Sequence, residues 1–485
     1  MMSALVFVPY TINSMMDTEK NSFGHLYPYK FNERSVFMGN KYDELIEEIQ
    51  SRLDDERLKA GGKLPSIRRF AKEFNCSINT VMRAYSELEK AHLIYSVPKS
   101  GYFAVGTDMP KKQKPMIIDF VSAGPDKSKM PYRDYQHCMN QAIELYKEEM
   151  FQYSHPLGLP SLRHQLSAQL QDLQVFAPAE RIAVVSGSQQ ALDLLVSLPF
   201  PNNKTEICTE QPTHFSFIDS ITSRGLKPIG IEVNQKGIDL NYLEKIFRER
   251  NIKFFYTVSR FQNPTGCSYS NQEKKDMVEL AQKYDVYIVE DDYMGDLDTR
   301  KKADPMFAYD PSGRVIYTKS FSKVLLPGLR LGLAVLPEAL MKSFTQAKFA
   351  ADVHTPVLTQ GAIEIYLSSG MFKAHIEKLR RQYKKKGTIL QKAYLEHLPP
   401  NTSFTGGDSG FYSTVVLPGR MKAKNLVKHL QKKNVLVQDA APMYLPEYLK
   451  ENRIRLSVSQ VEDRIIAVGV KKIGDGIRAL AHSYF

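Results

Sequence analysis

Lys323 sits in sequence that suits chemistry at its amine. It ends the run Ser320-Phe321-Ser322-Lys323 and is followed by Val324-Leu325-Leu326. Apolar flanks imply partial burial, and burial disfavours the charged form, leaving a neutral and nucleophilic amine. A lone lysine is ordinarily a solvated charge, so Lys323 gains meaning only from what else the chain offers. Glu290-Asp291-Asp292-Tyr293 closes the apolar run Val286 to Val289. A carboxylate at the inner end of a buried strand needs a partner. A protonated heterocyclic nitrogen would serve for Asp291, whereas Asp292 reads equally well as part of a solvated acidic loop. Asn263-Pro264-Thr265-Gly266 either presents an amide to a ring oxygen or is an ordinary turn. Gly187-Ser188-Gln189 opens a helical run whose free N–H groups would cradle a phosphate, although any strand–glycine–helix turn looks similar. Arg330, seven residues after Lys323, adds a guanidinium.

These groups share a kind of position. Strand-like runs at Ile182 to Val185, Lys253 to Val258, Val286 to Glu290, Arg314 to Thr318 and Leu331 to Leu336 alternate with helical ones. That alternation predicts an α/β fold with a large, mostly parallel sheet, which binds ligands beyond its strand ends. From about Phe372, basic helices and short strands predict a smaller α/β lobe. A lysine amine, a buried carboxylate, an amide donor and an anion cradle together form the set that pyridoxal phosphate requires.

The first 116 residues read differently. After an arm over residues 1–37 without clear periodicity, Tyr42, Leu45, Ile46, Ile49 and Leu53 form one helical stripe. Ser66 caps a second helix with Ile67, Phe70, Ala71 and Phe74 inward, and Ser77 a third with Val81, Ala84, Tyr85 and Leu88 inward. Runs at His92 to Val97 and Tyr102 to Val105 follow, joined by a turn, and 106–116 has the composition of a linker. Three helices and a ribbon fit a winged helix-turn-helix over 38–105, or a small helical interaction domain whose polar face meets only water.

Motif order narrows both readings. Gly62-Lys63-Leu64-Pro65-Ser66-Ile67-Arg68, Ser77-Ile78-Asn79-Thr80-Val81 and Ala84-Tyr85-Ser86-Glu87-Leu88 resemble the GntR-type winged helix. The resemblance implies DNA contacts from Arg68, Ser77, Asn79, Thr80, Arg83 and, on the wing, Lys99; the family often has arginine where this chain has Ile78. From about Asp119 onward the chain resembles fold-type I, class I/II aminotransferases. Tyr153 with Gly158 and Leu162-Arg163, SGSQQALDLL, QNPTG, EDDY, SFSK with LPGLRLG, and Arg453-Ile454-Arg455-Leu456-Ser457 carry that likeness.

By matched motif, the resemblance implies pyridoxal phosphate in aldimine linkage to Lys323. Asp291 pairs with the pyridine nitrogen, Asn263 and Tyr293 hold the phenolic oxygen, and Ser188, Gln189, Ser320 and Arg330 bind the phosphate. Tyr153 reaches the phosphate of a neighbouring subunit, and Arg455, ahead of its rival Arg453, clamps an amino-acid carboxylate. Where the family usually has tyrosine to stack on the ring, this chain has His214, whose protonation would alter the cofactor's electronics.

The two domains in this order resemble the MocR family of transcription regulators. That implies a homodimer binding double-stranded DNA and sensing an amine or amino acid, or the cofactor itself, by exchange at Lys323. A genuine aminotransferase with an accessory DNA-binding domain is the alternative, and turnover stays open. The bulk composition agrees. The 485 residues, 43% apolar and 24% charged with net charge +12, predict a multidomain globular protein tolerant of nucleic acid. No run has the length of a membrane span, the start lacks the pattern of a signal peptide, and the four scattered cysteines suggest neither disulfides nor zinc. The expected location is the cytoplasm, with no metal.

Overall fold

The computed structural model describes residues 41–54, 58, 61–105, 116–234, 237–300, 303–407 and 409–481. The expected arm lies outside them, as does nearly all of the expected linker. The described residues fall into two compact units on either side of that linker.

In the first unit, α1 (Lys41–Asp54), α2 (Ile67–Glu73) and α3 (Ile78–Lys90) precede an antiparallel ribbon of β1 (Ile94–Val97) and β2 (Gly101–Ala104). Leu45 and Ile49, Phe70 and Ala71, and Val81, Ala84, Tyr85 and Leu88 bury a single core with Ile94 and Ala104. The spacing of three and four that marks them in the sequence is the spacing of one helix face. Ser66 and Ser77 cap α2 and α3 as expected, accepting from the backbone N–H of Arg69 and Thr80. The Tyr85 hydroxyl donates to the Pro65 carbonyl, 2.7 Å away, tying α3 to the start of α2.

The second unit begins with the short strand β3 (Ile118–Asp119) and is built on an eight-stranded sheet. Its strands are β4 (Ile182–Val185), β5 (Glu206–Gln211), β6 (Ile229–Asn234), β7 (Gly237–Ile238), β8 (Ile252–Thr257), β9 (Tyr287–Asp291), β10 (Val315–Ser320) and β11 (Gly332–Val335). Their order is β4-β11-β10-β9-β8-β5-β6-β7. β4, β10, β9, β8, β5 and β6 run one way, and β11 and β7 run against them. Both faces are covered. Along β8, Phe254 and Tyr256 enter one core while Phe255 enters the other, which is why such strands read as unbroken apolar runs.

A second sheet, ordered β12 (Ser403–Gly406), β13 (Tyr412–Val416), β16 (Arg453–Ser457) and β15 (Gln438–Asp439), forms the smaller lobe. That lobe does not start at 372 alone: β3 pairs in parallel with β14 (Val435–Leu436), and Ile118 and Phe120 are buried in its core. The 27-residue helix Met371–His397 serves both lobes. Phe372, Ile376, Leu379 and Tyr383 pack in the large core, and Leu390, Ala393 and Tyr394 in the small one. Among the described residues no helix is long and apolar enough to cross a membrane, and no group of histidine, cysteine, aspartate or glutamate gathers as a metal site.

Candidate functional site

Strand direction alone brings the candidate residues to one edge. The parallel strands β4, β5, β8, β9 and β10 deliver Gly187-Ser188, His214, Asn263, Asp291 to Tyr293, and Ser320 to Lys323 just past or at their ends. β11 runs backwards, so its beginning lies at that edge, with Gly332 paired to Ser320, and Arg330 precedes it. A cavity of about 170 Å³ results, lined by Ser188, Gln189, Leu192, His214, Tyr256, Asn263, Asp291, Tyr293, Ser320, Lys323, Arg330 and Tyr412. Nine of the ten expected cofactor residues line it; Tyr153 does not.

The tandem carboxylates have separate fates. Burial alone would raise Asp292, but the Arg260 guanidinium and the Tyr317 hydroxyl, 2.7 Å away, hold it below the usual carboxylate range. The solvated-loop reading of Asp292 is therefore wrong: the residue is fully buried and paired. Asp291 has no cation of its own in contact. Its oxygens accept from Tyr256 and Thr318, each at 3.1 Å, and burial pushes it up to about 7 against those bonds. It is a carboxylate suited to a positive charge brought by a ligand.

At the opposite end, Ser188 starts α4 (Ser188–Ser197), whose first N–H groups face the cavity edge after Gly187 at φ 83°. A Cβ on Gly187 would collide with Nη2 of Arg330, so glycine leaves that guanidinium its place beside the helix start. Arg330 is exposed and loosely held, with bonds of 3.4 to 3.5 Å to Ser322, Pro327 and Ser186. The far end of α4 is fixed by the buried Lys253, which donates to the carbonyls of Leu195, Val196 and Leu198. This is a helix-dipole arrangement with an anion cradle at one end and a cation at the other.

His214 precedes α5 (Phe215–Thr222), and its hydrogen bonds fix its tautomer. Gln189 Nε2 donates to the Ser216 carbonyl, so Gln189 Oε1 is the acceptor for the Ser216 hydroxyl, at 2.9 Å. Ser216 Oγ therefore accepts from His214 Nδ1–H at 2.5 Å, and Nε2 is left as the bare acceptor. Burial, with the charges of Lys323 and Arg455, lowers His214 to about 4. The ring is neutral near neutral pH, so protonation does not disturb a cofactor there. The Gln189 side chain is committed to α5, which leaves only its backbone for a phosphate.

Tyr293 and Asn263 both line the cavity. The Tyr293 hydroxyl donates to the Phe261 carbonyl at 2.8 Å, and the Asn263 side chain is a further amide at the cavity wall. Lys323 Nζ donates to the Ala123 carbonyl at 2.6 Å and lies 5.5 Å from the Tyr412 ring centre. Arg455, only 4% exposed, stacks 5.3 Å over the same ring and donates from Nη2 to the Val121 carbonyl, while its buried Nε has no partner. Arg453 instead donates to the Tyr444 hydroxyl at 3.1 Å. Tyr153 is 87% exposed.

Sequence reasoning missed Tyr256, Thr318 and Tyr412. Tyr256 and Thr318 lie inside apolar strands, and only the register that pairs Thr318 with Asp291 singles out the latter. In the first unit, Arg68, Ser77, Asn79, Arg83 and Lys99 are exposed and Thr80 partly so. The hydroxyls of Ser77 and Thr80 are bonded to each other at 2.8 Å, and Arg83 lies 5.0 Å over the Tyr42 ring.

Family models describe the same two parts. Residues 41–104 match "Bacterial regulatory proteins, gntR family" and residues 126–473 match "Aminotransferase class I and II". The uncharacterized HTH-type transcriptional regulator YcxD of Bacillus subtilis is 44% identical over 436 residues, 89% of this chain and 98% of YcxD. The chain belongs to the MocR family. The MocR second domain is similar to the 2-aminoadipate transaminase of Thermus thermophilus, 29% identical over 76% of this chain and 92% of that one. A solved kynurenine aminotransferase of Pyrococcus horikoshii superposes with a TM-score of 0.70 at 28% identity, over 76% of this chain and 92% of its own. The class I/II fold family is pyridoxal-phosphate-dependent. The residues of this MocR chain fit that group: an unpaired buried carboxylate, a cradle kept open by Gly187, and an orphaned guanidinium nitrogen on Arg455.

Proposed function

We propose that the chain is a transcription regulator that holds pyridoxal phosphate at Lys323 and changes its operator affinity when the cavity is occupied. The occupant is a primary amine or amino acid, or the cofactor itself. Bound pyridoxal phosphate supplies an aldehyde that condenses reversibly with amines. Asp291 keeps a proton on the pyridine nitrogen, Asn263 donates to the phenolic oxygen, and neutral His214 stacks on the ring. The backbone of Ser188 and Gln189, with Ser320 and Arg330, holds the phosphate; Tyr153 of a neighbouring subunit completes it in a homodimer. Arg455 clamps a carboxylate.

One observation carries the sensing role. Lys323 and Arg455 both donate to a single short segment, at Ala123 and Val121, which follows β3 and the buried Phe120 in the small lobe. Cofactor attachment would take Lys323 from Ala123, an amine that displaces the lysine would return it, and an amino-acid carboxylate would take Arg455 from Val121. Hydrogen bonds to charged groups are worth about 1.5–3 kcal/mol each, enough to supply a coupling of about 1–3 kcal/mol between sites. Arg68, Ser77, Asn79, Thr80, Arg83 and Lys99 contact the operator.

The test is a mobility shift on DNA upstream of the chain's own gene and its neighbours, with and without pyridoxal phosphate and a panel of amino acids. The expected result is an affinity that changes with ligand in the wild type and not in Lys323→Ala. An affinity indifferent to cofactor, amines and Lys323→Ala alike overturns the proposal. The intact lysine, aspartate and arginine, with the transaminase relative, support the rival reading of a working aminotransferase. Single-turnover absorbance separates the two: release of a keto acid favours the enzyme, and a stable spectral shift without it favours the sensor.

A further inference from the structure

The DNA face of α3 is not uniformly polar. Val81, Ala84, Tyr85 and Leu88 turn into the core, so Ile78, Asn79, Met82, Arg83 and Ser86 turn outward. Ile78 is 48% exposed and Met82 51%, and at positions i and i+4 they form one apolar step on the N-terminal half of the helix. Among the described residues both stay about half exposed. The step is set among cations: Arg68, Arg69 and Lys72 on α2 and Arg83 on α3 are exposed. Residues 78–86 include no carboxylate. A positive surface with an apolar centre is complementary to an anionic partner that itself presents apolar groups.

Double-stranded DNA has that character in its major groove, where each thymine shows a C5 methyl beside phosphates on either strand. A recognition helix enters the groove by its N-terminal residues, which here are Ile78, Asn79 and Met82. We infer that Ile78 and Met82 read thymine methyl groups, so that the operator half-site carries thymine where an arginine at position 78 would select guanine. Asn79, between them, has the amide for an adjacent adenine. The inference rests on the DNA-binding reading and deepens it by naming what the protein recognises.

The experiment uses the full-length protein and duplexes selected from a random pool. Each thymine of the selected half-site is replaced singly by uracil, which lacks only the methyl group, and binding is measured by mobility shift. One or two positions should lose affinity by about fourfold, the weight of one buried methyl-sized group. Ile78→Ala and Met82→Ala, both surface changes checked by an unchanged melting temperature, should each abolish the uracil effect at its own position. Ile78→Arg should redirect selection from thymine to guanine there. Uracil substitution without effect at any position, or with an equal effect in both alanine variants, overturns the inference while leaving DNA binding intact. A pool that yields no enriched duplex overturns the DNA-binding reading itself, and this inference with it.

Discussion

Replacing Asp291 by asparagine should move stability and cofactor affinity in opposite directions. Burial raises this carboxyl from 3.8 to about 7 in the folded protein. Because the fold binds the proton more tightly than the unfolded chain, ionisation works against folding as pH rises through that interval. Below 3.8 both states are protonated and the cost is absent; above 7 it is complete. At about 1.4 kcal/mol per tenfold change in proton affinity, the full cost is about 4 kcal/mol. Asparagine removes the titration and keeps the geometry. Its oxygen accepts from one of Tyr256 and Thr318, and its amide donates to the other; Thr318 already has a second acceptor in the Glu290 carbonyl at 3.4 Å.

The cofactor-free Asp291→Asn protein should therefore gain about 2 to 4 kcal/mol at pH 8.5. At roughly 2 °C per kcal/mol in a large domain, that is a rise of ~4 to 8 °C in melting temperature. The gain should fall to less than half by pH 5. With pyridoxal phosphate the order reverses, because the wild-type carboxylate gains the pyridinium as a partner and the amide does not. Scanning calorimetry across pH, with and without cofactor, measures both. A variant less stable than wild type at pH 8.5 without cofactor, or equally stabilised at pH 5, would falsify the account of Asp291 as a carboxylate awaiting a cation.

Lys323→Ala should lose the visible absorbance of the lysine-bound cofactor and release it on dialysis, while its melting temperature without cofactor falls by about 3 to 6 °C with the lost bond to Ala123. Gly187→Ala, strained at φ 83° and directed at Arg330, should weaken pyridoxal phosphate binding by at least about tenfold; equal affinity in a binding titration removes Arg330 from the phosphate site. Nitrogen-15 NMR should find His214 neutral, protonated at Nδ1 and without a titration step between pH 5.5 and 8.5; a midpoint near 6.5 contradicts its burial beside Lys323 and Arg455. Arg68→Ala should reduce DNA affinity similarly on all sequences and lower the salt slope by about one, as loss of one phosphate contact requires.

Where function demanded several residue types in a fixed order, the sequence was readable. QNPTG, EDDY and SFSK each end a buried strand, and apolar strand residues are visible without partners. β5 escaped because half of it is buried polar side chains, and β6 because its apolar residues are broken by Gly230 and the exposed Glu232 and Asn234. Glu210, inside β5, is fully buried yet satisfied by Thr257, Val258, Gln262 and Tyr269, partners 47 to 59 residues along the chain that no local window contains. The same limit hid Tyr256 and Thr318, whose meaning lies in register, and the contribution of Ile118 and Phe120 to the small lobe, which depends on pairing across more than three hundred residues. Reading Asp292 as solvent-facing failed for the matching reason: Arg260, its counter-ion, comes from the loop after β8.

The helix Met371–His397 sets how the second unit can deform. About 40 Å long, it is anchored by Phe372 to Tyr383 in one core and by Leu390 to Tyr394 in the other. One continuous helix therefore belongs to both lobes. Between the anchors lies Gly387, the residue that stiffens a helix least, directly beside Lys386, whose ammonium is fastened to the Val461 carbonyl. Any displacement of one lobe against the other would have to bend this helix or pull one set of anchors out of its core.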